Sequence, residues 1–386
     1  MVLRPEKLIS PEAGCLGRGY YEMAKRYYMK GITRFEGVLL AALVVVAALA
    51  GYAWLKAVAT PGPPVQRAPQ TITIVDSAGR YVTAPWPVKR VAALTSASAM
   101  TLVALGARDA IVGITDYAAG APWAPNVTSV GTCFKPNIEA IVSVKPDIVI
   151  TYARWPKPED LEDKLEPFGI KVVRLDFYKI ETLFAETRLL GLLLNRTKEA
   201  EDLISYWQGV YDEIVSRVSG LEPENKTRVY FEGYHDYKAA GPGSGWDELL
   251  RLAGGLNIYA DALVTYPKVS AEDVVARNPD VIIKAVSKTK FNPYGATDDA
   301  PLREIWESII SRPGWDQITA VKNGRVYLIC AGLLHDSFGL VAELAYIAKL
   351  LYPDLFADLN PSEVHRHFIE DNLGIPYVGI WIYPAE

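Results

Sequence analysis

The sequence predicts an α/β protein: two Rossmann-like lobes with parallel-rich sheets, joined by a single long helix and preceded by an N-terminal transmembrane helix. Three observations carry this. Short, continuous apolar strands alternate with helical stretches, the pattern of a parallel sheet covered on both faces. One phrase is stated twice: KPNIEAIVSVKPDIVI at 135–150 returns as KVSAEDVVARNPDVII at 268–283, with six identities in sixteen positions. Between the copies lies TKEAEDLISYWQGVYDEIVSRVSG, 197–220, whose apolar residues step by three and one along a helical stripe.

The N-terminal element comes first. Residues 38–55, VLLAALVVVAALAGYAWL, are uncharged and long enough to cross a bilayer. Seven Lys/Arg precede the run against four acids, so the positive-inside rule places 1–34 in the cytoplasm and the rest outside. The expected layout is a leader at 1–34, a signal-anchor at 35–57 and a Pro-rich spacer at 58–70. A cleaved export signal is the competing reading, because AVA at 57–59 suits a cleavage site. Beyond residue 59 the chain carries 32 basic and 41 acidic residues, which argues against nucleic-acid binding. Three sequons, at Asn126, Asn195 and Asn225, lie in that exported part.

The first lobe is expected over 71–196. ITIV and YVTA around DSAG read as a hairpin, followed by strands at 91–94, 111–115, 147–151 and 171–175 with helical stretches between them. The helix at 197–220 follows, with Thr197 available to cap it and Gly220 to end it. The second lobe, 221–386, restarts the plan: strands at 228–232, 281–285 and 325–329, and helices at 246–253, 271–277, 302–310, 338–351 and 361–373. In both copies of the repeated phrase a capping residue (Asn137, Ser270) opens a short helix, a proline (Pro146, Pro279) stops it, and an apolar strand follows. Ligands of open α/β sheets sit at the carboxyl ends of the strands. Two such sheets facing each other make a cleft.

The strand ends of the first lobe offer Tyr117, Trp123, Arg154, Trp155, Phe177 and Tyr178. Those of the second offer Tyr234, His235, Tyr237, Trp246 and His335. Aromatic rings give large, rigid contact area to a bulky, partly apolar ligand, and Arg154 can fork onto an anionic group. GPGSGW, 241–246, reads as a turn or as a source of backbone N–H groups. His365 and His367 fall on different helix faces and make no chelate pair. Cys15, Cys133 and Cys330 show no zinc spacing, and Cys133 and Cys330 are read as separate thiols.

These phrases in this order resemble one family: the substrate-binding proteins of ABC importers that carry ferric siderophores, haem and cobalamin. The cues are TITIVDSAGRYVTAPWPVKRVAAL, the two copies of the repeated phrase, the linker helix and GWDQITAVKNGRVYLI, and they span about residues 71–375. The resemblance implies a monomeric extracytoplasmic capture protein, without a cofactor and without catalysis, held to the membrane by its N-terminal helix. Its implied partners are an ABC permease with its ATPase and a small-molecule ligand, a metal chelate or a cobalamin-like molecule. Glu139 and Glu272 match the acidic residues that dock on the permease; each also sits where a carboxylate meets a helix dipole. With Arg154 the one obvious base at the mouth, a triply anionic catecholate complex fits poorly. A hydroxamate-type iron complex, haem or cobalamin fits better, and molybdate or tungstate stays open. The rival classes are a membrane-anchored α/β enzyme acting on a metal complex or tetrapyrrole, and a binder of bare metal ions. Neither GxxxxGK[ST], HExxH nor GxSxG occurs.

Overall fold

The structure, a computed structural model, describes residues 34–59, 70–332 and 334–384. Residues 1–33 of the leader, including Cys15, and residues 60–69 of the spacer lie outside the described residues. Two units are distinguished, 1–68 and 69–386. In the first, α1 (Arg34–Ala59) is a 26-residue helix. Its stretch Gly37–Lys56 is long and apolar enough to cross a membrane, and all of that stretch is exposed.

The second unit begins with the expected hairpin, β1 (Thr71–Val75) and β2 (Tyr81–Pro85), paired antiparallel. Asp76 closes the turn by accepting the amides of Ala78 and Arg80. The first sheet holds β3 (Val91–Ala93), β4 (Ile111–Ile114), β5 (Thr128–Ser129), β6 (Ile148–Thr151) and β7 (Lys171–Arg174), in the order β5-β4-β3-β6-β7, all parallel. Its helices are α2 (Ser96–Ala104), α3 (Ile138–Ser143), α4 (Glu162–Leu165) and α5 (Ile180–Leu193). Then comes the linker helix, α6 (Thr197–Val218).

The second sheet holds β8 (Arg228–Glu232), β9 (Leu256–Asn257), β10 (Val281–Val286), β11 (Val326–Cys330) and β12 (Ile382–Tyr383), in the order β12-β11-β10-β8-β9. Only β12 runs antiparallel within it. Its helices are α7 (Gly245–Leu252), α8 (Ala271–Arg277), α9 (Ala300–Ile310), α10 (Thr319–Lys322), α11 (Gly339–Leu351) and α12 (Pro361–His367). The helix expected at 361–373 is α-helical only to His367 and continues as a π-turn, Phe368–Asn372.

Duplication is visible in the topology. The run β4-β3-β6-β7 of the first sheet matches β9-β8-β10-β11 of the second. Asn137 and Ser270 cap α3 and α8 by accepting the amides of Ala140 and Asp273. The aspartate after each proline has a shared task. Asp147 accepts the amide of Arg90 just before β3 at 2.9 Å, and Asp280 accepts the amide of Arg228 opening β8 at 3.0 Å. Each arginine then reaches a carbonyl at the end of its helix, Val144 and Arg277. One Pro-Asp thus ties strand, helix and neighbouring strand together in each lobe.

Along each strand, side chains alternate between two apolar layers. Val149 and Val172 enter an outer core of the first lobe, while Ile148, Ile150 and Val173 face the other way. Likewise Ile282 and Val286 enter an outer core of the second lobe, while Val281, Ile283 and Ala285 face inward. The inward layers of both lobes and the buried stripe of α6 form one continuous apolar core. Helix α6 buries Ala200, Leu203, Ile204, Trp207, Ile214 and Val218, packing on α5 of the first lobe and on α7 and α11 of the second. Its ends differ from expectation. Arg196 is the capping position and makes no side-chain cap, and Ser219 rather than a left-handed Gly220 closes the helix. The helix is the single covalent crossing, but the lobes also share this core.

Candidate functional site

The carboxyl ends of the two sheets meet. Past β7, the carbonyl of Phe177 accepts the amide of Ser337, which lies past β11, at 2.9 Å. The Ser337 hydroxyl shares a 2.9 Å hydrogen bond with Thr101 of α2. Glu248 of α7 accepts the amide of Glu181 in the first turn of α5 at 2.7 Å, so one lobe caps a helix of the other. A Cβ on Gly245 would lie 3.0 Å from the carbonyl of Tyr178, so a larger residue would push that backbone by a few tenths of an ångström. Phe177, Tyr237 and Ser337 all sit in the left-handed region (φ 52°, 56° and 55°). Such conformations cost energy and cluster where backbone is held for a purpose.

On the second lobe the aromatic residues interlock. Trp246 stacks on Phe231 with ring centres 5.0 Å apart. Tyr234, Tyr266 and His335 meet it edge-on at 5.2, 6.1 and 5.7 Å. His335 is held by Glu343 of α11, whose Oε2 lies 2.6 Å from its Nδ1. On the first lobe, Tyr152 and Tyr178 meet edge-on at 5.3 Å and Lys179 lies over the Tyr178 ring. Trp155 and Phe134 approach loosely at 6.4 Å and are both exposed.

The sequence-based candidates therefore separate. Tyr178, Tyr234, Trp246 and His335 come together near the junction. Tyr117, Arg154, Trp155 and His235 are exposed on the surrounding loops. Trp123 is 4% exposed and packed into the core, so its ring is not presented at the mouth. Phe177 is fully buried as well, and its carbonyl rather than its ring serves the junction. Tyr237 is half-buried under the Arg312 guanidinium. The GPGSGW loop spends donors on itself: Gly241 donates to Thr265, and Ser244 caps α7 by accepting the Asp247 amide. Cys133 and Cys330 are buried free thiols, both pushed up to about 12 by burial.

Sequence reasoning missed Tyr152, Tyr266, Glu343 and Asp336. Asp336 lies beside His335 in the chain. Its charge reaches Cys133 and Tyr152 of the first lobe and Tyr234 of the second, and raises the pKa of each after burial has done so. Its own carboxyl is pushed up to about 6 by burial, against the pull of His335. An acid shortly after a strand that itself ends in cysteine is the signal that was available: HDS, 335–337, begins five residues past Cys330.

Below the second mouth, Glu232 at the end of β8 is 1% exposed. It pairs with Arg312 at 2.8 Å and Lys284 at 2.9 Å, and both cations also reach Asp236. Burial alone would raise the Glu232 carboxyl, but Arg312 and Lys284 outweigh it and hold it below the usual range. These cations are thus committed within the lobe. Among the described residues no group of three His, Cys, Asp or Glu is placed to hold a metal ion. A separate hollow of about 500 Å³ lies along α6, lined by Arg196, Tyr206, Trp207, His367 and Asn372, and includes none of the mouth residues. Glu139 and Glu272 are exposed at the second positions of α3 and α8.

Comparison with known proteins agrees with this architecture. The vitamin B12-binding protein of Salmonella paratyphi A is 32% identical over 193 residues, half of this chain and 71% of that protein. The cobalamin-binding protein of Halobacterium salinarum is 28% identical over 256 residues, 62% of this chain and 67% of that one. Among solved structures, the TroA-like periplasmic binding protein FepB from Veillonella parvula superimposes with a TM-score of 0.65 at 26% identity, covering 81% of this chain and 99% of that one. The model of the family described as periplasmic binding protein matches residues 91–331, well over half of the sequence. On the duplicated sheets, the crossing helix and that match, the chain belongs to the periplasmic binding protein family.

Proposed function

We propose that this protein is the extracytoplasmic substrate-binding component of an ABC importer. It captures a bulky metal chelate, cobalamin or a siderophore-like iron complex, between its lobes and hands it to a membrane permease and ATPase. The observation that carries this is the meeting of an interlocked aromatic cluster, Trp246, Tyr234, Tyr266 and His335, with Tyr152 and Tyr178 at the junction of two sheets. Such a surface suits a large, rigid, partly apolar ligand. Exposed Tyr117, Arg154, Trp155 and His235 complete the mouth from the loops. The relatives named for vitamin B12 and cobalamin support a corrinoid as the first candidate.

In this reading α1 anchors the chain once in the membrane with lobes 71–196 and 221–386 outside, and Glu139 and Glu272 meet basic residues of the permease. The shared core limits closure to a small movement. The rival reading as a bare-ion binder lacks a donor set among the described residues. The test is titration of the full chain in detergent with cyanocobalamin, a ferric trihydroxamate and haem, followed by tryptophan fluorescence and calorimetry. Saturable, reversible binding of one of these is the expected result. Failure to bind any of them, or chemical turnover of one, overturns the reading.

A further inference from the structure

We propose that Asp336, with His335, sets the charge class of the ligand: the junction takes chelates that bring N–H donors or positive charge and refuses anionic ones. This rests on the junction being the ligand site. The segment between β11 and α11 is stitched to the first lobe one residue later, through Ser337 to Phe177 and Thr101. Asp336 is thereby fixed between the lobes rather than on a free loop. It is only partly exposed, and among the described residues its carboxylate has no hydrogen bond and no ion pair. A carboxylate so placed is costly to the fold. Its unmet need points outward, to what the site receives.

The neighbouring polar atoms have the same unmet need. The His335 side chain is 9% exposed. A carboxylate oxygen only accepts, so Nδ1 of the imidazole donates to Glu343. Among the described residues the ring's Nε2 is buried and has no hydrogen-bond partner, and neither has Oε1 of Glu343. Two carboxylates, those of Asp336 and Glu343, therefore have oxygens without a matching donor among the described residues. The nearby cations do not compensate. Arg312 and Lys284 are tied to Glu232 and Asp236, and Arg174 to Glu162. Arg154 is exposed, and Lys179 lies over the Tyr178 ring. Carboxamide side chains, or a cationic chelate, supply the missing donors. An added carboxylate meets a like charge at short range in a partly dry site, where repulsion of a unit charge is worth about a tenfold loss or more.

A matched pair of probes tests this: cyanocobalamin and its monocarboxylic acid, in which one side-chain amide is a carboxylate and the shape is kept. A neutral and an anionic ferric hydroxamate of one scaffold serve the same purpose if the corrinoids do not bind. At pH 7.5 the full chain should prefer the neutral member by about tenfold or more. Asp336→Asn should shrink that gap to within about threefold, while Asp336→Glu should keep it. In the unaltered chain the gap should also shrink between pH 7.5 and pH 5. The groups facing Asp336 in that titration are His335, Glu343, Cys133, Tyr152 and Tyr234. Asp336→Ser, which also removes the charge, takes the place of Asp336→Asn if that variant does not fold, because the probe's own carboxylate titrates in the same pH range. An equal gap in Asp336→Asn, or one independent of pH, overturns the inference and leaves the capture reading standing. No binding of any corrinoid, ferric hydroxamate or haem overturns the capture reading itself.

Discussion

Lys284 of the second lobe and Thr151 of the first occupy the same place in the duplicated plan, each 133 residues from its counterpart along the repeated phrase. Up to that point the two units agree in detail: the caps at Asn137 and Ser270, the prolines, and the aspartates holding Arg90 and Arg228. At the strand ends they part. Lys284 joins a buried network with Glu232 and Arg312, whereas Thr151 only donates to the carbonyl of Trp155. The mouths then diverge further, interlocked rings on one side and exposed Tyr117, Phe134 and Trp155 on the other. Repetition is kept where residues build the sheet and lost at the strand ends; in the proposed reading a non-symmetric guest needs two different halves.

The largest test of this contrast is at the buried network. Glu232→Ala leaves two cations without their shared partner and should cost about 3–5 kcal/mol in urea unfolding. Thr151→Ala, in the matching place, should cost about 1 kcal/mol. Equal losses would break the comparison.

The acid dependence sharpens it. Glu232 has a folded pKa below its unfolded value. Its stabilisation is therefore present above roughly pH 4.5 and lost as pH falls through the depressed value. Asp336 behaves oppositely, because its carboxyl is raised to about 6. It binds more protons folded than unfolded, so it costs stability as pH rises from about 4 through 6. Asp336→Asn should melt a few degrees higher than the unaltered chain near pH 7.5, for a gain of about 1–2 kcal/mol, and show no gain near pH 4. A gain at both pH values would assign it to packing rather than charge.

The smallest effect concerns the frame. Asn137→Ala and Ser270→Ala should each cost about 1 kcal/mol, equally and additively, as read by thermal melting. Unequal costs would show that the duplicated caps differ in what they support.

Much of the fold was legible because its signals are local. The doubled phrase gave caps, helix stops and strands in both lobes, and the stripe of α6 gave its buried face. Short edge strands such as β5, β9 and β12 left no trace, since two residues carry no periodicity. The mouth was only partly readable. An aromatic after a strand looks alike in sequence whether it enters the core, as Trp123 does, or faces the gap, as Tyr234 does. Tertiary packing decides between them. Asp336 went unnoticed because its meaning comes from a connection to Phe177 and Thr101, both distant in the chain.

The apolar layer running from Ile74 through Trp207 to Ile382 has a consequence for how the chain melts. Neither half can lose its inner layer without exposing the other's. The two should come apart together, giving one calorimetric peak rather than two, and a fragment ending after Val218 should fail to hold a native state by itself. The architecture is thus twofold in plan but singular in cooperativity.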